Sequence, residues 1–374
     1  MTAHVVRPRR LLTGVFIVCV LAAALIAVAA PPPAASAPAQ SVLVVRSAGG
    51  HDALWLLSPV DGTPTAAGDL PGKAAAVAVS PGGADAAYLP TKAGARLWIG
   101  WGPLGPKSIS LEPAGVRRID SFTWVDDHRL LVSGAAGAHA RYEQDALYLV
   151  NVTTGKTSPF RGLHGVEPYG VPALGKVVYT RLAILKAGTA ADNYARTVRE
   201  GLRVVKVSRG KGSTIVSDTY TTELDHRTFA QPQLSQDGKW FVTGSTGSDV
   251  SVTYSVLGKW GYPLFNVFTA ALDVKAGWTA AGLTAFAGMP STSLGDESCV
   301  WVCDPARATL VCTTPGLLPH VMITDLAWSA AGDLVAGALS TGTKSPTRHV
   351  YVIPGSLTTA NELGTGRLPV WVTP

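Results

Sequence analysis

One unit of apolar and polar positions recurs along most of the chain. In each copy an apolar pair precedes a turn, typically with Ser or Asp and a Gly, and a second apolar strand follows the turn. The best copy runs from Leu234 to Val242, and the other copies begin at Val79, Trp124, Pro172, Trp278 and Trp328. Successive copies lie about 44 to 61 residues apart, a spacing that indicates a repeat architecture.

A second apolar segment follows each copy by about 20 residues and alternates as a half-buried strand does. Its copies span residues 97–99, 147–150, 202–205, 252–254, 300–302 and 350–353. Tight turns at 153–156, 209–212 and 304–307 then lead into a further strand. Four short antiparallel strands per repeat predict an all-β protein built as a β-propeller. A β-sandwich is the alternative, but a sandwich does not require an internal period.

The two ends of the chain complement each other. Residues 42–45 and 54–57 supply later strands of a blade that lacks a first strand, whereas residues 370–372 supply a first strand with nothing after it. We therefore expect the N- and C-terminal strands to share one blade and close the ring, which removes exposed sheet edges. The count is then seven blades of four antiparallel strands. Six blades is the alternative, because the copy at Pro172 is weak and the unit after it is irregular.

The turn pattern begins with Trp or Leu, continues with Ser, and ends with Asp or Gly followed by Gly. This pattern resembles the propeller repeats of TolB-type proteins. It is best seen in residues 234–242, and the resemblance covers residues 41–374 as a repeat pattern. The chain departs from that family in two ways. It has no room for the separate N-terminal α/β domain of TolB, and TolB is usually six-bladed. The resemblance implies a protein-binding scaffold outside the membrane.

The N-terminal residues have the composition of an export segment. Arg7, Arg9 and Arg10 precede the uncharged stretch Leu11–Ala30, and a Pro- and Ala-rich linker follows up to Ala39. A basic flank, an apolar core and small residues are the parts of a secretory signal. Twenty apolar residues can also span a bilayer, so an uncleaved anchor is the alternative. Residues 1–39 are thus a signal peptide or anchor, and residues 40–374 form an extracytoplasmic propeller, secreted or tethered to the membrane.

Composition narrows the class of protein. The formal net charge is +6, and three basic residues but no acidic residues lie in the first 39, so the propeller itself carries only +3. So small an excess of positive charge does not indicate a protein that binds nucleic acid. Apolar residues make up 47% of the chain and charged residues 15%, which excludes a disordered chain. We expect a protein or cell-envelope component as partner, no nucleic acid, and membrane contact only through residues 1–39.

The longest connections are expected on one face of the ring. In a four-stranded meander, the connections between second and third strands and those between blades emerge together, and here both sets are long and polar. We name this side the long-loop face, and binding residues concentrate on such loops. The candidate binding residues are Arg118, Asp120, Tyr142, Glu143, Glu167, Tyr169, His226, Arg227, Trp260 and Tyr262. Within the long insertion 181–201, residues 191–200 are predicted to form a short helix capped by Asp192.

Motifs for catalysis and metal binding are missing from the sequence. No G-x-S-x-G elbow, H-E-x-x-H pair, Walker loop or EF-hand loop occurs. We therefore predict no enzyme activity, no cofactor and no metal. Two alternatives stay open: an enzyme whose residues line the central channel without a local motif, and a propeller that binds a small ligand or sugar.

Three cysteines lie close together near residue 300. Cys299 faces Cys312 if residues 304–307 form a two-residue turn, whereas a looser loop places Cys303 near Cys312. An oxidising location favours a disulfide. Cys299–Cys312 is the preferred pair, and one of the three thiols is left free.

Overall fold

The computed structural model describes most of the chain after residue 39. The described ranges are 40–48, 50–91, 94–101, 106–137, 145–187, 196–209, 212–222, 227–246, 251–258, 263–270, 274–288, 299–313, 317, 321–340 and 345–372. These residues form seven four-stranded antiparallel sheets. The predicted signal or anchor lies outside the described residues. In the described ranges, no helix is long and apolar enough to cross a membrane.

Each sheet is one blade of a propeller, and we number the blades along the chain. Blade 1 contains β1 (Ser41–Ala48), β2 (His51–Leu57), β3 (Pro64–Asp69) and the last strand, β28 (Arg367–Val372). Blade 2 contains β4 (Ala74–Val79), β5 (Ala86–Pro90), β6 (Arg96–Ile99) and β7 (Lys107–Ser110). Blade 3 contains β8 (Arg118–Asp126), β9 (Arg129–Ala135), β10 (Ala146–Asn151) and β11 (Thr157–His164). Blade 4 contains β12 (Val166–Val171), β13 (Lys176–Lys186), β14 (Arg196–Lys206) and β15 (Gly212–Thr222).

The second half of the ring repeats this arrangement. Blade 5 contains β16 (Arg227–Leu234), β17 (Trp240–Thr246), β18 (Ser251–Gly258) and β19 (Pro263–Ala270). Blade 6 contains β20 (Val274–Trp278), β21 (Thr284–Gly288), β22 (Cys299–Asp304) and β23 (Thr309–Thr313). Blade 7 contains β24 (Val321–Trp328), β25 (Leu334–Ser340), β26 (Arg348–Ile353) and β27 (Asn361–Thr365). Two 3₁₀ turns, Glu112–Ala114 and Pro172–Leu174, precede β8 and β13.

The ring closes as the complementary chain ends predict. Strand β28 pairs with β1, with Trp371 opposite Val42 and Val370 opposite Leu43. β28 is therefore the innermost strand of blade 1, whose other strands come from the N-terminal side. The predicted fold class, the seven blades and the shared closing blade are confirmed.

The recurring turn owes its sequence to two kinds of hydrogen bond. In the turn from β16 to β17, the buried Ser235 carbonyl accepts the N–H of Gly238 at 2.9 Å, and its hydroxyl accepts the N–H of Trp240 at 3.0 Å. Gly238 has φ +73°, a left-handed conformation that suits glycine. Turns at Ser80, Thr279 and Ser329 repeat this geometry. The sequence of the recurring turn thus specifies the connection between the first two strands of a blade.

The core lies between blades rather than within them. Between blades 2 and 3, for example, Leu97 and Ile99 pack in one apolar cluster with Leu130 and Val132. Burial of this kind contributes about 1.5–3 kcal/mol per large side chain. Tryptophans add specific contacts: Trp124 Nε1 donates to the Ala78 carbonyl at 3.1 Å, which joins neighbouring innermost strands. The blades consequently depend on one another for their cores.

One local prediction is wrong, and one open alternative is decided. Arg196–Glu200 belongs to strand β14 instead of a helix, because it extends a hairpin whose partners Lys186 and Thr222 continue the sheet; residues 188–195 lie outside the described residues. The turn from β22 to β23 has four residues between the paired Asp304 and Thr309, so it is the looser of the two loops considered above. A four-residue loop shifts the register of that hairpin by two residues.

Candidate functional site

The innermost strands surround the central channel, and a β-bulge interrupts the pairing of every one that the structure describes. A bulge redirects a side chain and increases the local twist. At three bulges, Glu167, Gln231 and Leu368 have φ of 51°, 43° and 51°, and each precedes a proline. The bulges were not predicted from the sequence, although an X-Pro pair marks each of these three positions.

The channel contains a cavity of about 350 Å³. Its lining comes from the innermost strands of blades 1, 2, 5, 6 and 7. The polar lining residues are Gln231, Lys275, Thr324 and Asp325, and apolar residues such as Leu368 and Val77 complete the wall. The cavity therefore presents both signs of charge beside an apolar surface.

Asp325 is fixed in the cavity wall. Its carboxylate accepts a hydrogen bond from Thr324 Oγ1 at 2.8 Å and another from the backbone N–H of Leu368. Burial raises the pKa of Asp325 above its ordinary value, and these hydrogen bonds oppose the shift. Lys275 is also buried, at 8% exposure. Neither residue was selected from the sequence, because each lies inside an otherwise apolar strand.

Tyr169 crosses the channel. It extends from β12 of blade 4, and its hydroxyl is hydrogen-bonded to the backbone N–H of Trp278 in blade 6. Because blades 4 and 6 are not neighbours, the tyrosine side chain must span the interior of the propeller. A Cβ at Gly277 would lie 3.1 Å from the tyrosine oxygen, so glycine gives this hydroxyl room. Burial raises the pKa of Tyr169 to about 12, and the phenol stays neutral.

Three arginines at the starts of innermost strands bind buried acids near the long-loop face. Arg367 pairs with Asp52, and Arg118 pairs with Asp120 at 2.7 Å and with Asp145 at 3.4 Å. The third, Arg227, pairs with Glu200 at 2.8 Å and with Glu167 at 3.0 Å. Although burial opposes it, Glu167 and Glu200 raise the pKa of Arg227. We call these the arginine–acid clusters.

The buried acids of these clusters also join neighbouring blades. Asp52 of blade 1 accepts the backbone N–H of Ala74, where blade 2 begins, at 2.7 Å. Glu200 of blade 4 accepts the N–H of Thr228 in blade 5 at 2.5 Å. Because these carboxylates have no exposed surface, each needs such donors to offset the cost of burial.

The predicted binding residues separate into two groups. Arg118, Asp120, Glu167 and Arg227 lie in the arginine–acid clusters, and Tyr169 lies in the channel. Tyr142, Glu143, His226, Trp260 and Tyr262 lie outside the described residues. The binding role of all ten stays a prediction, and the first group has an evident structural role.

The buried acids Asp145 and Glu200 were not predicted from the sequence. The sequence does contain a signal for Asp145, because the same five-residue motif occurs in two blades. Its copies are Asp52-Ala53-Leu54-Trp55-Leu56 and Asp145-Ala146-Leu147-Tyr148-Leu149. In both copies the aspartate also accepts a hydrogen bond from a serine of the preceding strand, Ser47 or Ser133.

The preferred disulfide is present. Cys299 and Cys312 are joined across β22 and β23 with their Cα atoms 6.2 Å apart. Cys312 lies opposite Trp301, so the two cysteines are diagonal neighbours rather than the directly facing pair that we expected. Cys303 is the free cysteine of this hairpin, and burial raises its pKa to about 12.

Comparison with known proteins supports the fold. No family model and no curated protein matches the sequence. An uncharacterized protein of Listeria monocytogenes EGD-e is similar in structure at 10% identity, with 87% of this chain and 91% of that chain covered and a TM-score of 0.51. TolB from Acinetobacter baumannii is also among the similar structures, at 14% identity, 89% and 83% coverage and a TM-score of 0.44.

Peptidases are among the similar structures too. Dipeptidyl peptidase 4 of Porphyromonas gingivalis is 12% identical, with 87% of this chain and 50% of that chain covered and a TM-score of 0.44. At such identities a likeness is one of fold alone. The fold itself defines the class, a seven-bladed β-propeller, and TolB, whose repeats the sequence resembles, is one of its structural neighbours.

Proposed function

We propose that the chain is an extracytoplasmic binding scaffold that holds a protein or another cell-envelope component on the long-loop face. The observation that carries the proposal is the channel cavity, whose wall combines Lys275, Asp325 and apolar side chains. A volume of about 350 Å³ accommodates a few side chains rather than a domain. A partner would therefore rest on the long-loop face and insert one segment into the cavity.

The location outside the cytoplasm has two supports. The N-terminal residues have the pattern of an export signal or anchor. The Cys299–Cys312 disulfide is of a kind that persists in oxidising compartments.

A small ligand is the second candidate occupant, favoured by the same cavity. Pockets for small molecules typically enclose about 300–1,000 Å³ and combine apolar walls with a few polar groups. Among the described residues, no group of three or more His, Cys, Asp or Glu could hold a metal ion.

Site-specific photo-crosslinking tests the scaffold proposal. A photoreactive residue replaces Gln231, which is exposed in the cavity wall, in the exported protein. The matched control replaces Ala281, exposed in the turn between β20 and β21 on the opposite face. We expect a discrete protein adduct from position 231 and none from position 281. Equal labelling from both positions would contradict the proposal, and a small molecule released on denaturation would favour the second candidate.

A further inference from the structure

Blade 4 extends beyond its own innermost strand at the long-loop face. Strand β12 begins at Val166, opposite Thr180, but β13, β14 and β15 continue past that point. Residues 181–186, 196–201 and 217–222 form this extension, which we call the projecting sheet. Six residues of strand correspond to about 20 Å.

The outer edge of β15 carries backbone groups that point away from the sheet. No strand in the described part of the chain pairs with that edge. The N–H of Thr219 donates to its neighbour's carboxylate, Asp218 Oδ1, at 2.8 Å, so it does not point toward β14. Because the direction of N–H groups alternates along a strand, Ser217 and Thr221 also present theirs outward.

This edge has few of the features that protect a sheet edge from pairing. Protected edges are short or carry lysine, proline or bulges. Strand β15 is the longest outer strand described, at 11 residues, and it contains neither lysine nor proline. From Val216 to Thr222 its register with β14 is regular. Asp218, which covers one outward donor, is the local exception.

The projecting sheet also carries positive charge and exposed apolar side chains. Arg181 and Arg199 lie on the same side as Thr219, both exposed, and neither makes an ion pair with a described residue. Ile184 and Leu185 on the same hairpin are 38% and 51% exposed. Exposed apolar residues beside unpaired positive charge are typical of a binding surface.

We propose that the projecting sheet binds an extended, acidic segment of a partner protein, which adds as a strand to the outer edge of β15. Backbone hydrogen bonds to Ser217 and Thr221, and to Thr219 once its N–H leaves Asp218 Oδ1, supply the affinity, as in other cases of strand addition. Acidic side chains on alternate positions of the partner project on the same side of the sheet as Arg199, two strands away, and Arg181, three strands away, and the positive charge of this side supplies the selectivity. The surface is separate from the channel cavity, although it extends the scaffold function proposed above.

Peptide titration tests this assignment. The probes are two fluorescein-labelled nine-residue peptides, one alternating Glu with Thr and one alternating Lys with Thr, titrated with the exported protein and followed by anisotropy. We expect the Glu peptide to bind at least about tenfold more tightly than the Lys peptide. The preference should shrink in the double variant Arg181→Ala, Arg199→Ala. Hydrogen exchange at Thr221 should slow when the Glu peptide is bound.

A pair of substitutions at one position separates edge pairing from side-chain contact. Thr219→Pro removes an outward N–H without removing a hydrogen bond to β14, so the blade keeps its ladder. Thr219→Val keeps the N–H. We expect Thr219→Pro to weaken binding of the Glu peptide about tenfold and Thr219→Val to leave it unchanged. Equal affinity for both peptides, no binding by either, or full binding by Thr219→Pro would overturn the proposal. None of these results depends on crosslinking from position 231, so the two proposals fail independently.

Discussion

Two neighbouring carboxyl groups, those of Asp145 and Asp120, lie at the start of blade 3. Asp145 has no exposed surface, and its pKa is raised by burial and further by the neighbouring Asp120. No N–H or O–H of the described residues donates to the buried Asp120 Oδ2, so we expect Asp145 to carry a proton that it shares with this oxygen. Arg118 then balances a single negative charge.

The shared proton gives stability a specific dependence on pH. The pKa of Asp145 is higher in the folded than in the unfolded chain, where it is about 3.9. The folded state therefore binds more protons between these two values, and stability falls as pH rises through that window. Asp145→Asn keeps the hydrogen-bonding shape without the charge. We expect it to remove this slope and to stabilise the protein by roughly 1–3 kcal/mol at pH 8, measured by denaturant unfolding at pH 5 and pH 8.

Asp126→Asn is the control for this prediction. Partial burial acts to raise the pKa of Asp126, but hydrogen bonds from Arg129 and His128 lower it on balance. Asp126 is thus ionised in both states from pH 5 to pH 8, and its substitution should leave the slope intact. An unchanged slope in Asp145→Asn would refute the shared proton.

Cysteine reactivity is a second property set by single residues. Cys303 is buried, and its raised pKa leaves little thiolate at neutral pH. We expect iodoacetamide to spare the folded protein's Cys303 and to label it after unfolding without reductant, while Cys299 and Cys312 react only after reduction. Mass spectrometry counts the labels. Rapid labelling of Cys303 in the folded state would contradict the buried position.

At the scale of elements, an arginine–acid cluster holds blade 4 against blade 5. Glu200 accepts hydrogen bonds from Arg227, Tyr220 and the backbone of Thr228. Glu200→Ala leaves these donors without their buried acceptor, and we expect a loss of about 3–5 kcal/mol in the free energy of unfolding. The exposed pair of Lys239 and Asp237 is the control, since Lys239→Ala removes this pair, leaves the turn hydrogen bonds of Asp237 in place and should cost less than about 1 kcal/mol. Similar losses in the two variants would argue against a structural role for the cluster.

Strands and clusters differ in how far the sequence predicts them. The turn that follows Leu234 has its own signature, since Ser235 and Gly238 provide the hydrogen bonds and the φ that it needs. The clusters have no such local signature, because Glu200 meets Arg227 only after two blades have packed together. For the same reason Arg227 looks like a free loop residue in the sequence, and residues 191–200 look like a helix until β13 is placed beside them.

At the scale of the whole molecule, closure by β28 makes the blades interdependent. The strand contributes Trp371, whose Nε1 donates to the Ala327 carbonyl of blade 7 at 3.2 Å. It also contributes Arg367, which binds Asp52 and the Ala74 carbonyl of blade 2. A single strand thus contacts blade 1 and both of its neighbours. Each core lies between two blades, so loss of this strand exposes apolar surface on both sides of the closure.

Removal of residues 367–374 should therefore abolish the single cooperative unfolding transition of the ring. We expect the truncated chain to unfold in a broad transition or to aggregate through the unpaired edge of β1.

A circular permutant is the matched control. It begins at Arg367 and joins Val372 to Ser41 through an Asn-Gly turn, since these two residues are paired in the closed ring. The permutant keeps every strand of blade 1 and moves the chain ends to the gap between blades 7 and 1. It should unfold in one transition, as the natural order does, when both are followed by calorimetry. A truncated chain that unfolds as sharply as the permutant would show that six complete blades suffice and that closure adds little.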